Sequence, residues 1–308
     1  MRRKHIILLL LLITFLLASV AISVSGEKKT EDKKSYIGAA VCKGCHEGAH
    51  ESYMKSIHAK KAIPGSPANR EACEACHGPG ASHVEKGGGK GVGIVGFDRK
   101  ASAKEKMSKC LSCHEESKHL ASWNMGKHKS AGVSCDDCHS VHSKADKNLK
   151  ARQPDLCYDC HRDIRAQANK QSHHPIREGK ISCSDCHDPH GEFGAKMVKA
   201  DTVNELCYKC HSEKRGPFMW EHAPVEENCL HCHTPHGSNH TKLLTKKPPL
   251  LCQSCHDWSL HPGTPYPSQS AFTGANPSNK FIARACLNCH TNIHGSNGPS
   301  KRGLRFVR

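Results

Sequence analysis

The chain has 308 residues, of which 20 are cysteine and 26 histidine, and the cysteines obey a single rule. Each belongs to a pair with two residues between, and each pair is followed at once by a histidine. The first half holds Cys42/Cys45/His46, Cys73/Cys76/His77, Cys110/Cys113/His114, Cys135/Cys138/His139 and Cys157/Cys160/His161. The second half holds Cys183/Cys186/His187, Cys207/Cys210/His211, Cys229/Cys232/His233, Cys252/Cys255/His256 and Cys286/Cys289/His290. No cysteine is left over.

A disulfide scaffold has no use for a histidine after every pair, and a zinc ribbon matches its pairs in twos without one. Covalent c-type haem uses all three residues. The two thiols add to the vinyl groups, and the adjacent histidine is held under the iron as its proximal ligand. Ten such pentads predict ten covalently bound haems.

A six-coordinate iron takes a second axial ligand, so ten haems need ten more. With His5 in the leader and ten histidines proximal, fifteen remain. Methionine, the main rival, is too scarce to serve all ten: only Met54, Met107, Met125, Met197 and Met219 follow the leader. Grouping the pentads in twos assigns the distal histidines. One stands between the two pentads of each unit: His58, His128, His174, His222 and His261. One follows the second pentad: His83, His142, His190, His236 and His294. His174 is taken over its neighbour His173 by analogy with His222, which also stands just upstream of a proline. His50, His119, His173, His231 and His240 are read as surface histidines. His142, His190 and His236 each lie three residues after a proximal histidine, a reach of at most about 10 Å. That is too short to round a pinned macrocycle, so each should ligate a neighbouring haem. His174 is expected to cap another iron of its own unit.

What positions these groups must be lean. Only 36% of the chain is hydrophobic and 5% aromatic, too little for a large side-chain core. The expected fold class is a multihaem cytochrome c: mainly irregular chain with short α-helices, little β, and an elongated array of five dihaem units around a haem chain. The units start near residues 42, 110, 157, 207 and 252, and from the second onward they repeat at 47, 50 and 45 residues. Helical spacing is visible at Glu47–Lys60 and Ala101–Met125. Val84–Lys109 and Ser259–Arg284 read as surface loops or joints. Gly91, Gly93 and Gly96 match a nucleotide fingerprint formally, but without the strand and helix that it needs.

Residues 1–26 read as a signal peptide, with Arg2, Arg3 and Lys4 before an apolar run and a small-residue end. Residues 27–40 form a charged leader, 41–295 the decahaem domain and 296–308 a basic tail, expected to be solvated or to dock a partner. The formal charge of +16 falls to +13 when Arg2, Arg3 and Lys4 are removed. Ionised propionates of ten haems bring the total near neutrality. Basic and aromatic residues do not interleave, so no nucleic-acid partner is expected. Haems with both axial sites filled offer no iron to a substrate, which points to an electron carrier rather than an enzyme.

With the pentads and their histidine brackets in view, together with C-H-G-P-G-A-S-H at Cys76–His83 and C-x-x-C-H-x-P-H-G, the chain resembles the decahaem periplasmic cytochromes of outer-membrane electron conduits, the MtrA/DmsE/PioA group. The resemblance implies stacked haems, a periplasmic location at the outer membrane, a β-barrel partner around the cytochrome and an extracellular multihaem cytochrome beyond it. It also implies exchange with a periplasmic or inner-membrane cytochrome, and either reduction of metal oxides or other external acceptors or oxidation of iron. A soluble periplasmic shuttle or storage cytochrome, a filament and a multihaem reductase with one open haem are the alternative readings.

Overall fold

The computed structural model describes residues 35–143, 146–256 and 286–307. Residues 1–34, the Ser259–Arg284 insertion and His261 lie outside the described residues. Among those described, secondary structure is short helices, with five isolated antiparallel bridges and no sheet.

Every pentad starts in a helical turn. The α-helices Ala39–Cys45, Cys73–His77, Ala103–His114, Cys135–Cys138, Asp155–Tyr158, Cys183–Cys186, Val203–Tyr208 and Leu250–Gln253, and the 3₁₀ turns Cys229–His231 and Cys286–Asn288, each carry one. One turn suffices, because residues three apart share a helix face and both thiols then point the same way. The histidine N–H commonly closes the turn on the first cysteine's carbonyl, as in His46 to Cys42 at 2.9 Å and His187 to Cys183 at 3.0 Å. Ser134 and Ser182 cap two of these turns through capping boxes with Asp137 and Asp185, and Asn228 caps a third.

The two expected helices are shorter than their patterns. Glu47–Met54 is helical and then tightens into a 3₁₀ turn at Ile57–Ala59; Ala103–His114 ends before two turns at Lys118–Leu120 and Trp123–Met125. The segment read as a loop up to Lys109 is therefore helix from Ala103, started by the Ser102 hydroxyl accepting from the Glu105 N–H at 3.2 Å. No helix among the described residues is long and apolar enough to cross a membrane.

The apolar core among the described residues is thin: Tyr53, Met107, Trp123, Tyr158, Ala168, Ile176, Val198 and Leu244. Polar side chains stitch each unit instead. Buried Glu74 accepts from the Ile37, Gly38 and Gly80 N–H groups at 3.0, 2.8 and 2.7 Å. Lys106 pairs with Asp136 at 3.0 Å. Gln153 exchanges two hydrogen bonds with Ser184 at 3.1 and 3.0 Å. Asn204 donates to the Val225 and Glu226 carbonyls at 2.9 and 2.8 Å and accepts from the Cys229 N–H at 2.8 Å. Each joins the neighbourhoods of the two pentads of one unit, and a buried polar group with all its partners is an effective rigid tie.

Candidate haem sites

The first cysteines of the two pentads in each unit lie against one another: Cys42 with Cys73, Cys110 with Cys135, Cys157 with Cys183, Cys207 with Cys229 and Cys252 with Cys286. Burial, followed by the Cys73 charge, pushes the Cys42 thiol up to about 11. The hydrogen bond from Cys110 pulls Cys135 down to about 7, and that from Cys157 does the same to Cys183. Between units the second cysteines lie within electrostatic reach of one another: Cys76 and Cys113, Cys138 and Cys160, Cys186 and Cys210, and Cys232 and Cys255. First-to-first contacts inside units alternate with second-to-second proximity between them. The ten pentads therefore stand in one unbranched row in chain order.

Cys45 and Cys289, the second cysteines of the first and last pentads, stand apart from this alternation. Each belongs to a pentad with a neighbour on one side of the row, and both are exposed, as are Cys113, Cys160, Cys210 and Cys255 inside it. Cys289 nevertheless keeps the local form of the others: its N–H donates to the Cys286 carbonyl at 3.1 Å, and the His290 N–H closes on the same carbonyl at 2.9 Å.

The histidines come in facing pairs. Ring centroids are 6.1 Å apart for His46–His83, His58–His114, His128–His161, His187–His236 and His222–His256. They are 6.0 Å apart for His139–His190, 6.3 Å for His174–His211 and 6.2 Å for His233–His294. Two imidazoles on opposite sides of one metal, each with a metal–nitrogen bond of about 2 Å, have centroids roughly 6.3 Å apart. The pairs fit that arrangement. His142 lies within electrostatic reach of His77, and His261, the expected distal histidine that remains for His290, is outside the described residues.

The pairing follows a rule of its own. The histidine between two pentads faces the first pentad of the next unit, as His58 does His114, His128 does His161, His174 does His211 and His222 does His256. The histidine after the second pentad faces back, as His190 does His139, His236 does His187 and His294 does His233. Consecutive units are thus laced in both directions. The expectation that His174 serves its own unit is corrected: with Nδ1 held on the Pro235 carbonyl, its ring stands 6.3 Å from that of His211 in the following one. His83, at the front end, turns to His46 inside its own unit.

Backbone carbonyls fix the rings. Nδ1–H donates to Val95 from His77 at 2.9 Å, to Lys147 from His139 at 3.0 Å, to Lys196 from His187 at 3.0 Å, to Lys242 from His233 at 2.8 Å and to Arg305 from His290 at 2.6 Å. Among the rings expected to be distal, His83 donates to Val92 at 2.9 Å, His128 to Pro189 at 2.9 Å, His142 to Ala49 at 3.0 Å and His174 to Pro235 at 2.6 Å. His222 approaches the Ile293 carbonyl without closing a full hydrogen bond. Donation at Nδ1 leaves Nε2 as the free lone pair, the orientation characteristic of a metal-bound histidine. Burial, the leading cause, lowers the pKa of His58, His77, His190, His222 and His236, and drives His294 down to about 4, so these rings favour the neutral, ligating form. His173 differs: its Nδ1 meets the Lys170 carbonyl at 2.7 Å and its Nε2 meets Glu178 at 3.1 Å.

Two features escaped the sequence reading. The carbonyls under His139, His187 and His233 come from clasps in which two successive non-glycine residues hold positive φ: Lys147–Asn148, Lys196–Met197 and Lys242–Leu243. Each such residue costs about 1 kcal/mol or more, tolerated because the second carbonyl also binds the chain after the proximal histidine, as Met197 does the Asp188 N–H at 2.8 Å. The second feature is the job of the presumed loop, which supplies Val92 and Val95 to the rings of His83 and His77.

The P-H-G element after the pentads now has a function for each residue. Pro189 and Pro235 offer carbonyls to the previous unit's distal rings, His190 and His236 face the previous unit's proximal rings, and glycine permits close approach. A Cβ at Gly191 would overlap the Ser122 carbonyl, and one at Gly237 the Gln167 carbonyl.

A family profile described as "Doubled CXXCH motif" matches residues 128–166, 173–216 and 222–261. The multihaem cytochrome MtrA of Shewanella baltica is 40% identical over 91% of this chain and 84% of its own length. The C-type polyhaem cytochrome OmcB of Geobacter sulfurreducens is 25% identical over 70% of this chain, which spans only 27% of that protein. The cytochrome c-type protein NrfB of Escherichia coli is 32% identical over 42% of the chain and 69% of its own length.

Proposed function

Because the chain belongs to the MtrA family of multihaem c-type cytochromes, a family of electron carriers, we propose that it holds ten haems in chain order and forms the periplasmic part of an outer-membrane porin–cytochrome conduit. The ten pentads, from Cys42 and Cys45 to Cys286 and Cys289, are the attachment points. His46, His77, His114, His139, His161, His187, His211, His233, His256 and His290 are the proximal ligands. His58, His83, His128, His142, His174, His190, His222, His236, His261 and His294 are the distal ones. The observation that carries this assignment is the set of eight histidine pairs at 6.0–6.3 Å.

When bound, haem supplies a reversible one-electron iron couple. The polypeptide does the rest. Its paired histidines would hold each iron from both sides and leave none open to substrate, which favours a carrier over a reductase. Its carbonyls hold the imidazoles in register and, by accepting from Nδ1–H, make them more basic, favouring the ferric state and a low potential. The alternating cysteine contacts bring neighbouring attachment points close along the whole row.

The leader at residues 1–26 sends the chain to the periplasm. The partners are an outer-membrane β-barrel protein, an extracellular multihaem cytochrome and a periplasmic or inner-membrane cytochrome that exchanges electrons at the near end. Purification of the tagged protein from native outer membranes tests this. Co-purification with a β-barrel protein is expected; recovery only as a free monomer would replace the conduit with a soluble shuttle or storage role, and recovery as fibres with a filament.

A further inference from the structure

We propose that the C-terminal segment 296–307 is the clasp of the fifth unit, and that Arg305 and Phe306 are positioning residues for two irons, those carried by His290 and by His256. The proposal rests on the ligand assignment above. In the second, third and fourth units a positive-φ clasp eight or nine residues after the proximal histidine supplies its Nδ1 acceptor. In the fifth unit the acceptor is fifteen residues on, in the tail itself: His290 Nδ1–H donates to the Arg305 carbonyl at 2.6 Å. The neighbouring Phe306 carries the positive φ, 57°, and its carbonyl accepts from the Asn292 N–H at 3.1 Å. These are the two bonds of the earlier clasps, displaced by one residue at the second.

The segment is built to stay in place. Trp220 and Ser296 exchange two backbone hydrogen bonds at 2.9 Å, and the Trp220 indole donates to the Gly298 carbonyl at 2.8 Å. Met219 N–H donates to the Asn297 side chain at 2.9 Å. Ser300 starts the turn Lys301–Leu304, and a Cβ at Gly303 would overlap Gly298. The chain then reverses, with Phe306 N–H on Gly303 and Val307 N–H on Arg302, both at 2.9 Å. This brings the Phe306 ring to 5.4 Å from His222, the ring that faces His256. One short segment therefore braces a proximal ring through a carbonyl and a distal ring of the neighbouring site through an aromatic face.

Two variants of the full-length, haem-loaded protein separate these contacts. Phe306→Pro forbids the positive φ and opens the clasp. Phe306→Gly keeps the φ readily and removes only the ring. Haem content per chain, paramagnetic resonance of the ferric protein and a potentiometric titration are read for each. The proline variant is expected to change two haem species and leave the others as in the parent; the glycine variant is expected to change one. Parent-like spectra and potentials in both variants, or a disturbance spread over all haems in the proline variant, would overturn the inference. A parent protein without haem at His256 or His290 would instead overturn the ligand assignment on which it rests.

Discussion

His173 and His174 are neighbours with opposite settings, and the difference is one of ring nitrogens. His174 spends Nδ1 on the Pro235 carbonyl and turns Nε2 toward His211, whereas both nitrogens of His173 already have protein partners. Replacing His174 by alanine is therefore expected to produce one high-spin ferric species in paramagnetic resonance, and replacing His173 none; the reverse result would exchange their roles. The pentads and the supply of distal histidines were legible in the sequence because covalent and ligand chemistry demands particular residue types. This neighbouring pair was not, since a proline stands downstream of both and only the ring orientation separates them. The clasps were hidden for another reason: their function lies in backbone carbonyls and in positive φ at lysine, methionine and leucine, which residue identity does not mark. At Lys242 (φ 58°) glycine should relieve strain and raise stability by about 1 kcal/mol without shifting a potential. At Leu243 (φ 57°) proline should open the clasp and raise the potential of the His233 iron. Thermal melting and potentiometry of the loaded variants check both.

Short elements recur here because each is required to present only two thiols and a histidine, a task for one helical turn. Apolar periodicity revealed where turns begin but exaggerated their length: the pattern at Ala101–Met125 continues past the His114 pentad, where the helix stops. What holds the elements together is polar and close-fitting, so a hydrophobicity pattern does not report it. Asn204 is the clearest case, with three hydrogen bonds linking its helix to the next pentad. Asn204→Ala strands those partners and should cost about 2 kcal/mol or more in thermal unfolding. Gly237 tests the contact between units. Alanine there meets the rigid Gln167 carbonyl, and the splice that seats both His174 on Pro235 and His236 on His187 should loosen, with spectral changes at two irons. Alanine at Gly48, which has open space in the helix Glu47–Met54, should be silent or slightly stabilising. Equal effects at the two glycines would argue against the fit between units as the source of order. The tail, expected to be solvated or to dock elsewhere, folds back for the same local reason: the fifth unit's acceptor is encoded late in the chain.

Among the described residues, the first four units each reach one histidine forward to the next, and histidines of the later units face back, so on the proposed ligand assignment order propagates by nearest-neighbour exchange. The repeat and the attachment chemistry were readable from spacing, but the direction of each loan was not, because a sequence period records which residues recur and not which neighbour they reach. Reciprocal lending also means that a unit is incomplete without those on either side, consistent with folding that depends on bound cofactor. The most direct test is an experimental structure of the haem-loaded protein, by electron cryomicroscopy or crystallography. The expected result is ten haems in chain order, each iron between the histidines paired above, with adjacent haems joined alternately near the first and the second cysteines. A branched arrangement, an iron facing an open site, or His58, His128, His174 and His222 bound within their own units would contradict the account.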